Sequence, residues 1–448
     1  MHIHILGICG TFMAGVAAIA KVNGHHVTGC DKNVYPPMST QLQQMEIELI
    51  EGYHAEQILL KPDIYVIGNV ISRGNPLMET ILNKNLPFQS GPEWMYENIL
   101  KNKWVMAVAG THGKTTTTAM LSWILECSGY NPGYLIGGIP NNFDTSAKDS
   151  KNSNFFVIEA DEYDSAFFDK RSKFIHYHPR TLILNNLEFD HADIFDSLKD
   201  IERQFHHLIR TVPSEGKVLV NQECTNLKKL IDRGCWSEIE YFGSSKDWSY
   251  KSSGLESIEI FFQAELQGTL QWNLLGHHNV MNALASIAAA KHVGILPNQA
   301  IEALKKFRGV KRRMEKIAEI NEVTFYDDFA HHPTAIKSTI DGLKKIVGPG
   351  RSIVALDPRS NTMKLGTLKS ELKESLMDAD QVYILASNDL KWDPKHYFYD
   401  CDKTFIFDDV DNMLDSLLKG SNKGDHVVFM SNGSFSGIQK KISELSQL

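Results

Sequence analysis

Short apolar runs bounded by Gly, Pro or polar residues alternate with helical patterns along the whole chain. Residues 3–6, 27–30 and 64–67 read as buried parallel strands, because each is continuously apolar or nearly so and the helical stretches between them start after Gly or Pro/Ser punctuation. A second series opens with a strand at 104–108 and continues with strands at 155–158 and 181–184. These two end in polar residues, Glu159 and the pair Asn185-Asn186, and positions just beyond strand carboxyl ends are where open parallel sheets bind ligands. Between 237 and 275 the pattern changes to short alternating runs such as Ile258-Glu259-Ile260-Phe261, which predict a small antiparallel addition. From about 310 the strand–helix alternation resumes, with strands at 323–326, 353–356, 382–385 and 427–430. The pattern predicts an α/β protein of three domains, 1–103, 104–309 and 310–448, the outer two Rossmann-like.

Composition narrows the class. With 448 residues the chain is too long for one ordinary core, and 42% apolar with 22% charged residues is the balance of a soluble globular protein. A net charge of −8 without a basic run argues against nucleic acid as a partner. No apolar run approaches the ~18 residues of a membrane span, and residues 2–7 lack the basic start of a signal peptide, so a cytoplasmic protein without a membrane partner is expected. The six cysteines form no C-x-x-C pair and read as reduced thiols. Neighbouring histidines such as His277-His278 and His331-His332 lack zinc-motif spacing, and no zinc site is predicted from them.

The sharpest chemical signal is Gly110-Thr111-His112-Gly113-Lys114-Thr115-Thr116, between a strand and a helix whose apolar positions Met120, Leu121, Ile124 and Leu125 share one face. Backbone N–H groups of such a loop cradle phosphate oxygens, Lys114 would neutralise β/γ-phosphate charge, and the Thr115 hydroxyl can reach Mg²⁺. Val108 stands where the usual pattern has its first glycine, so the spacing rule fails while the physics of the loop survives. The central domain is therefore expected to be a P-loop-type ATPase domain. A carboxylate of Glu159-Ala160-Asp161-Glu162 can face this loop and ligate Mg²⁺, the alternative being a solvated acidic turn; Glu159 is the preferred ligand. His191, after Asn185-Asn186-Leu187-Glu188-Phe189-Asp190, is a candidate or an ordinary loop residue.

Further positions offer separate parts. Asn279 and Asn282 precede and enter an alanine-rich helix, where an Asn can read an adenine edge or, equally, cap the helix. Arg313, near the join to the third domain, can swing onto a γ-phosphate or be a solvated linker residue. Asp328, after a strand, can accept from ribose hydroxyls. Arg359 and Asn361 follow another strand and are candidate contacts for a carboxylate or amide, or surface-loop residues. At the amino end, Gly7, Gly10 and Gly15 with Asp31 suggest a dinucleotide fingerprint but miss its spacing; the loop can hold another nucleotide's pyrophosphate. Two nucleotide signatures in one chain suggest a nucleotide-linked substrate plus ATP.

Taken together, the phosphate loop, Glu159-Ala160-Asp161-Glu162, Asp190-His191, His278-Asn279 with Asn282, Arg313 and Asp328-Phe329-Ala330-His331-His332-Pro333 resemble the Mur ligase family over nearly the whole chain. That family adds amino acids or peptides to UDP-N-acetylmuramate at the expense of ATP. The resemblance implies UDP-sugar contacts from Gly7, Cys9, Gly10, Thr11, Asp31 and Ser72. It also implies a catalytic set of Lys114, Glu159, His191 and Arg313, with Mg²⁺ held by Thr115, Glu159 and His191. Arg73-Gly74-Asn75-Pro76 and Pro358-Arg359-Ser360-Asn361-Thr362-Met363-Lys364 look most like members that attach the murein tripeptide L-alanyl-γ-D-glutamyl-meso-diaminopimelate in cell-wall recycling. Members that add L-alanine are the nearest rival, and a nucleotide-binding regulator without catalysis is the alternative from another class. One departure stands out: several members carry a carbamylated lysine a short way beyond the histidine matching His191, where this chain has Arg203-Gln204-Phe205-His206-His207.

Overall fold

The computed structural model describes residues 1–34, 38–253, 257–272, 274 and 276–446. Its strands form three main sheets, and the expected three-part α/β architecture is present. The first sheet is parallel throughout, in the order Glu48–Glu51, His26–Asp31, His2–Leu6, Ile64–Ile67, Phe88–Ser90. The two outermost strands escape a sequence reading because they are short and carry polar residues. Strand order reverses between His2–Leu6 and Ile64–Ile67, so the loops after them, beginning at Gly7 and Gly68, flank the crevice where such sheets bind ligands.

The central sheet has ten strands. Its parallel heart runs Lys217–Asn221, Thr181–Leu184, Trp104–Ala109, Phe155–Ala160, Gly133–Leu135. The expected antiparallel addition is smaller than its sequence pattern suggests. Glu238–Phe242 pairs parallel to Lys217–Asn221 and continues the main sheet, whereas Trp248–Ser252, Ser257–Phe262 and Glu265–Gln271 form the antiparallel ribbon. Helices Lys114–Cys127 and His277–His292 pack on one face through Met120, Leu121, Ile124, Ala283, Leu284 and Ile287. Two buried hydroxyls in these helices are satisfied within the helix: Thr118 donates to the Lys114 carbonyl at 2.8 Å and Ser286 to that of Asn282 at 2.8 Å. The other face buries Phe156, Phe174 and Phe205, each contributing about 1.5–3 kcal/mol by removal from water.

That second core is shared with the first domain. Helix Thr11–Val22 lies so close to the central domain that a Cβ on Gly15 would stand 3.2 Å from Leu135 and 3.3 Å from Ala147. Gly15 therefore serves close packing between domains. The third sheet runs Glu315–Ile320, Val323–Asp328, His426–Met430, Ser352–Leu356, Gln381–Leu385, Thr404–Phe407, with only the first pair antiparallel. Its four inner strands are those the apolar runs predict; the charged edge strand Glu315–Ile320 was not legible as one. At the join, Lys311 N–H donates to the Ile139 carbonyl at 2.9 Å, and Arg312 and Met314 adopt φ of 59° and 50°. This left-handed backbone turns the chain sharply from one domain into the next.

Candidate active site

The phosphate loop leaves strand Trp104–Ala109 and enters helix Lys114–Cys127. Gly113 has φ 78°, and a Cβ there would come within 2.6 Å of Asn282 Oδ1 and 2.7 Å of Asn185 Nδ2. Those two amides, joined at 2.9 Å, back the loop. Asn186 clamps it from the side, accepting from His112 N–H at 2.7 Å and donating to the His112 carbonyl at 3.1 Å. The Gly110, Thr111 and Thr116 positions complete the turn, with Thr111 N–H on the Asn186 carbonyl at 3.3 Å. Asn282 thus supports the loop from behind through Asn185. The cap of helix His277–His292 is Gly276, not Asn279, which removes the capping explanation for Asn279.

The charged groups gather at the first turn of the loop helix. Lys114 Nζ donates to Glu162 Oε2 at 2.7 Å, and Asp161 stands 3.9 Å away. Glu162 is 1% exposed, and its other oxygen meets His191 Nε2 at 2.8 Å. Burial alone would raise the Glu162 carboxyl, but Lys114 and His191 outweigh it and bring it down to about 2. His191 answers in the opposite sense: burial pulls its pKa down, yet the bond to Glu162 leaves it raised. Glu159 occupies a different place. Its Oε1 accepts from the Thr115 hydroxyl at 3.0 Å and its Oε2 from Gly137 N–H at 2.7 Å, and removal from water raises its pKa despite nearby Lys114. Arg313 crosses from the join to donate to Thr115 Oγ1 at 3.4 Å, with its guanidinium 4.9 Å from the Phe329 ring centre.

Sequence-selected groups thus converge. Thr115 and Glu159 are brought together, while His191 bonds Glu162. Asp328 has both oxygens engaged, by Met314 N–H and Ala330 N–H at 2.7 Å each, so it braces the interdomain turn. Glu162, Asn185, Gly137 and Lys173 were not singled out. Lys173 is 7% exposed, donates to Asp161 at 3.1 Å and lies 5.3 Å from the ring centre of Phe12 in the first domain. In the helix where the carbamylated lysine is lacking, Gln204 accepts from Ser172 N–H at 3.3 Å, and Ser172 Oγ donates to the Glu162 carbonyl at 2.6 Å.

The two flanking regions complete the cleft. In the first domain Asp31 accepts from Cys9 N–H at 2.9 Å and Lys32 N–H at 2.7 Å, fixing the Gly7-to-Gly10 turn and leaving Thr11 and Ser72 exposed. In the third domain Arg359 pairs with fully buried Asp357 at 2.8 Å and reaches Ser436 at 3.2 Å. Asn361 donates to Asp193 at 2.8 Å and Thr362 to Asp190 at 2.9 Å, so the Arg359 segment is docked against the loop carrying His191.

The oxygen pair Thr115 and Glu159 suits a hard divalent cation, and the loop with Lys114 suits a polyphosphate. Among the described residues no helix is long and apolar enough to cross a membrane. All six cysteines are unpaired.

Comparison with known proteins agrees with this geometry. Family models match residues 2–103 (Mur ligase family, catalytic domain), 108–290 (Mur ligase middle domain) and 312–433 (Mur ligase, glutamate ligase domain). The chain is 52% identical over 446 residues to the UDP-N-acetylmuramate–L-alanyl-γ-D-glutamyl-meso-2,6-diaminoheptandioate ligase of Escherichia coli (strain K12), covering 99% of this chain and 97% of that one. A crystal structure of a murein peptide ligase from Psychrobacter arcticus 273-4 superposes with a TM-score of 0.76 at 42% identity, covering 99% of this chain and 98% of the other. A UDP-N-acetylmuramate–L-alanine ligase from Clostridium acetobutylicum is 32% identical over 76% of this chain and 74% of its own length. The chain belongs to the Mur ligase family.

Proposed function

We propose that this protein is an ATP-dependent ligase that joins L-alanyl-γ-D-glutamyl-meso-diaminopimelate to the lactyl carboxylate of UDP-N-acetylmuramate, in peptidoglycan recycling. The observation that carries this reading is 52% identity over 99% of the chain to a ligase named for that tripeptide, against 32% over 76% for one named for L-alanine. The arrangement of charge supports catalysis over mere binding. A nucleotide-binding regulator has no need of a lysine, a buried glutamate, a histidine and an arginine gathered at the first turn of the phosphate-loop helix.

In the proposed reaction the lactyl carboxylate attacks the γ-phosphorus of ATP, ADP leaves and an acyl phosphate forms. The L-alanyl amine of the tripeptide then attacks the acyl carbon, its extra proton passes to His191 or a nearby carboxylate, and phosphate leaves through a tetrahedral intermediate. Lys114 and Arg313 hold negative charge on the transferring group, and the loop amides from Gly110 to Thr116 hold the rest of the polyphosphate. Thr115, Glu159 and His191 are the groups that would hold Mg²⁺; Thr115 and Glu159 bond each other, and His191 bonds Glu162. Bound there, the cation would neutralise charge on the phosphoryl group. Asn279 is the candidate for the adenine edge, the Gly7-to-Thr11 turn with Asp31 and Ser72 for the UDP sugar, and Arg359 with Asn361 for the peptide.

The test is phosphate release by the purified chain with Mg²⁺ and ATP. It should require UDP-N-acetylmuramate and an amine together, with the tripeptide far better than free L-alanine. Preference for free L-alanine would move the protein to the rival branch, and no ATP consumption with either would end the ligase reading.

A further inference from the structure

Adjacent histidines in the sequence have no zinc-motif spacing, yet the fold gathers three donors from segments far apart. His112 Nε2, in the phosphate loop, lies 3.3 Å from Glu188 Oε2 and 3.1 Å from His332 Nδ1, and the last two atoms are 3.5 Å apart. Ligands bound at about 2.0–2.1 Å around a tetrahedral cation stand about 3.3–3.4 Å from one another, so this triangle has the edge length of one tetrahedral face. Octahedral Mg²⁺ with bonds of about 2.0–2.1 Å would bring neighbouring donors to about 2.9 Å, and it favours oxygen over imidazole.

We propose that His112, Glu188 and His332 form a site for a borderline divalent cation of the Zn²⁺ class, separate from the oxygen donors Thr115 and Glu159, that clips the central domain to the third domain. His112 and Glu188 come from loops of the central domain; His332 is the cap of helix Pro333–Lys344 in the third. A fourth position would be left for water.

The surroundings hold the donors in the required state. His332 donates Nε2–H to the Phe189 carbonyl at 3.1 Å, which leaves the Nδ1 lone pair facing the other two groups, the usual outer support of a metal-binding imidazole. Glu188 Oε2 faces the same point from the central domain. That oxygen is further fixed by the Thr334 hydroxyl at 2.6 Å. In the arrangement seen here a single proton on His112 Nε2 can serve both Glu188 and His332. A cation would take that proton's place. The displaced proton passes to Nδ1 of the same ring or to solvent. The lone pair of His332 that now accepts from Thr334 N–H at 3.3 Å would pass to the cation.

The experiment uses the full-length chain after chelation and without ATP, titrated with Co²⁺ as an optical reporter and with Zn²⁺ by equilibrium dialysis. The expected result is one equivalent of tight binding with the intense visible absorption of tetrahedral Co²⁺. His332→Gln and Glu188→Gln should each weaken binding by more than about 100-fold, beyond what loss of an outer support causes, whereas His207→Gln should leave it unchanged. X-ray absorption of the wild-type zinc complex, which depends on no variant, should show two imidazoles and only nitrogen or oxygen ligands. Zn²⁺ should also slow amide exchange at the first turn of helix Pro333–Lys344. An octahedral spectrum, sulfur in the first shell, equal binding by the folded Gln variants, or unchanged exchange in that helix would overturn the proposal.

Discussion

The loops that follow His2–Leu6 and Trp104–Ala109 have the same local plan: a parallel strand, a glycine-containing turn and a helix. Their chemistry differs. The turn from Gly7 to Thr11 contains no cation, and its shape is maintained by one carboxylate, Asp31, which accepts from Cys9 N–H and Lys32 N–H. The turn from Gly110 to Thr116 carries Lys114 and is surrounded by Glu162, Asp161, His191, Glu159 and Arg313. A diphosphate that does not react needs only backbone donors, whereas a phosphoryl group in transfer needs charge placed where its own charge moves. The comparison therefore fits the proposed division, with binding at the first loop and chemistry at the second.

Lys114→Met should break the second loop and test that division most severely. Removing the one charge inside the turn is expected to lower kcat about 10³-fold, with a smaller change in the KM for UDP-N-acetylmuramate. Glu159→Ala should lower kcat about 10²-fold while far-ultraviolet circular dichroism stays that of the wild type. Near-wild-type turnover in either variant would remove the assignment. The contrasting change is Asp31→Asn in the first loop. It should raise the KM for the UDP sugar about tenfold, the loss of one charge-assisted bond, and leave kcat nearly untouched. A collapse of kcat there would mean that the two loops are not divided as described. In the third domain Arg359→Lys loses the planar fork and should raise the tripeptide KM about tenfold without affecting ATP; an unchanged KM would exclude the contact.

These pairs also show what a sequence can and cannot reveal. Strands such as Thr181–Leu184 and Ser352–Leu356 were legible because buried parallel strands are continuous apolar runs. The charged edge strand Glu315–Ile320 and the three-residue Phe88–Ser90 were not, since neither is covered on both faces. In the site, Lys114, Thr115 and Glu159 could be read because each lies on or beside a recognisable strand–turn–helix. Glu162 could not: it sits in an acidic run whose members look alike until the fold buries one of them against Lys114 and His191. His112, Glu188 and His332 were invisible as a group for a similar reason, their proximity being a property of two domains. Asp328 shows a related ambiguity: a carboxylate after a strand can face a ligand or brace a turn, and its bonds to Met314 and Ala330 N–H add the second role, which the sequence does not carry.

The finest test of the charged loop uses pH. Glu162 joins Lys114 to His191, and its carboxyl is depressed from 4.5 to about 2; burial opposes the shift, and Lys114 and His191 outweigh it. A depressed acid contributes stability that is whole above its unfolded pKa and is lost as pH falls through its folded one, so the acid limb lies between about 4.5 and about 2. His191 is raised above 6.5, burial being outweighed by its bond to Glu162, so its share is whole below 6.5 and is lost as pH climbs through the raised value. Glu162→Gln removes the charge that drives both shifts. The stability difference between wild type and this variant, measured by urea unfolding across pH, should therefore peak between about 4.5 and 6.5 and shrink on either side. On the acid limb it should fall by at most about 1.4 kcal/mol per pH unit, the limit for one proton. A difference that stayed flat or grew below pH 4.5 would show that Glu162 is not held ionised by Lys114 and His191. The contrast between a charged reactive loop and a neutral binding loop would then rest on Lys114 and Glu159 alone.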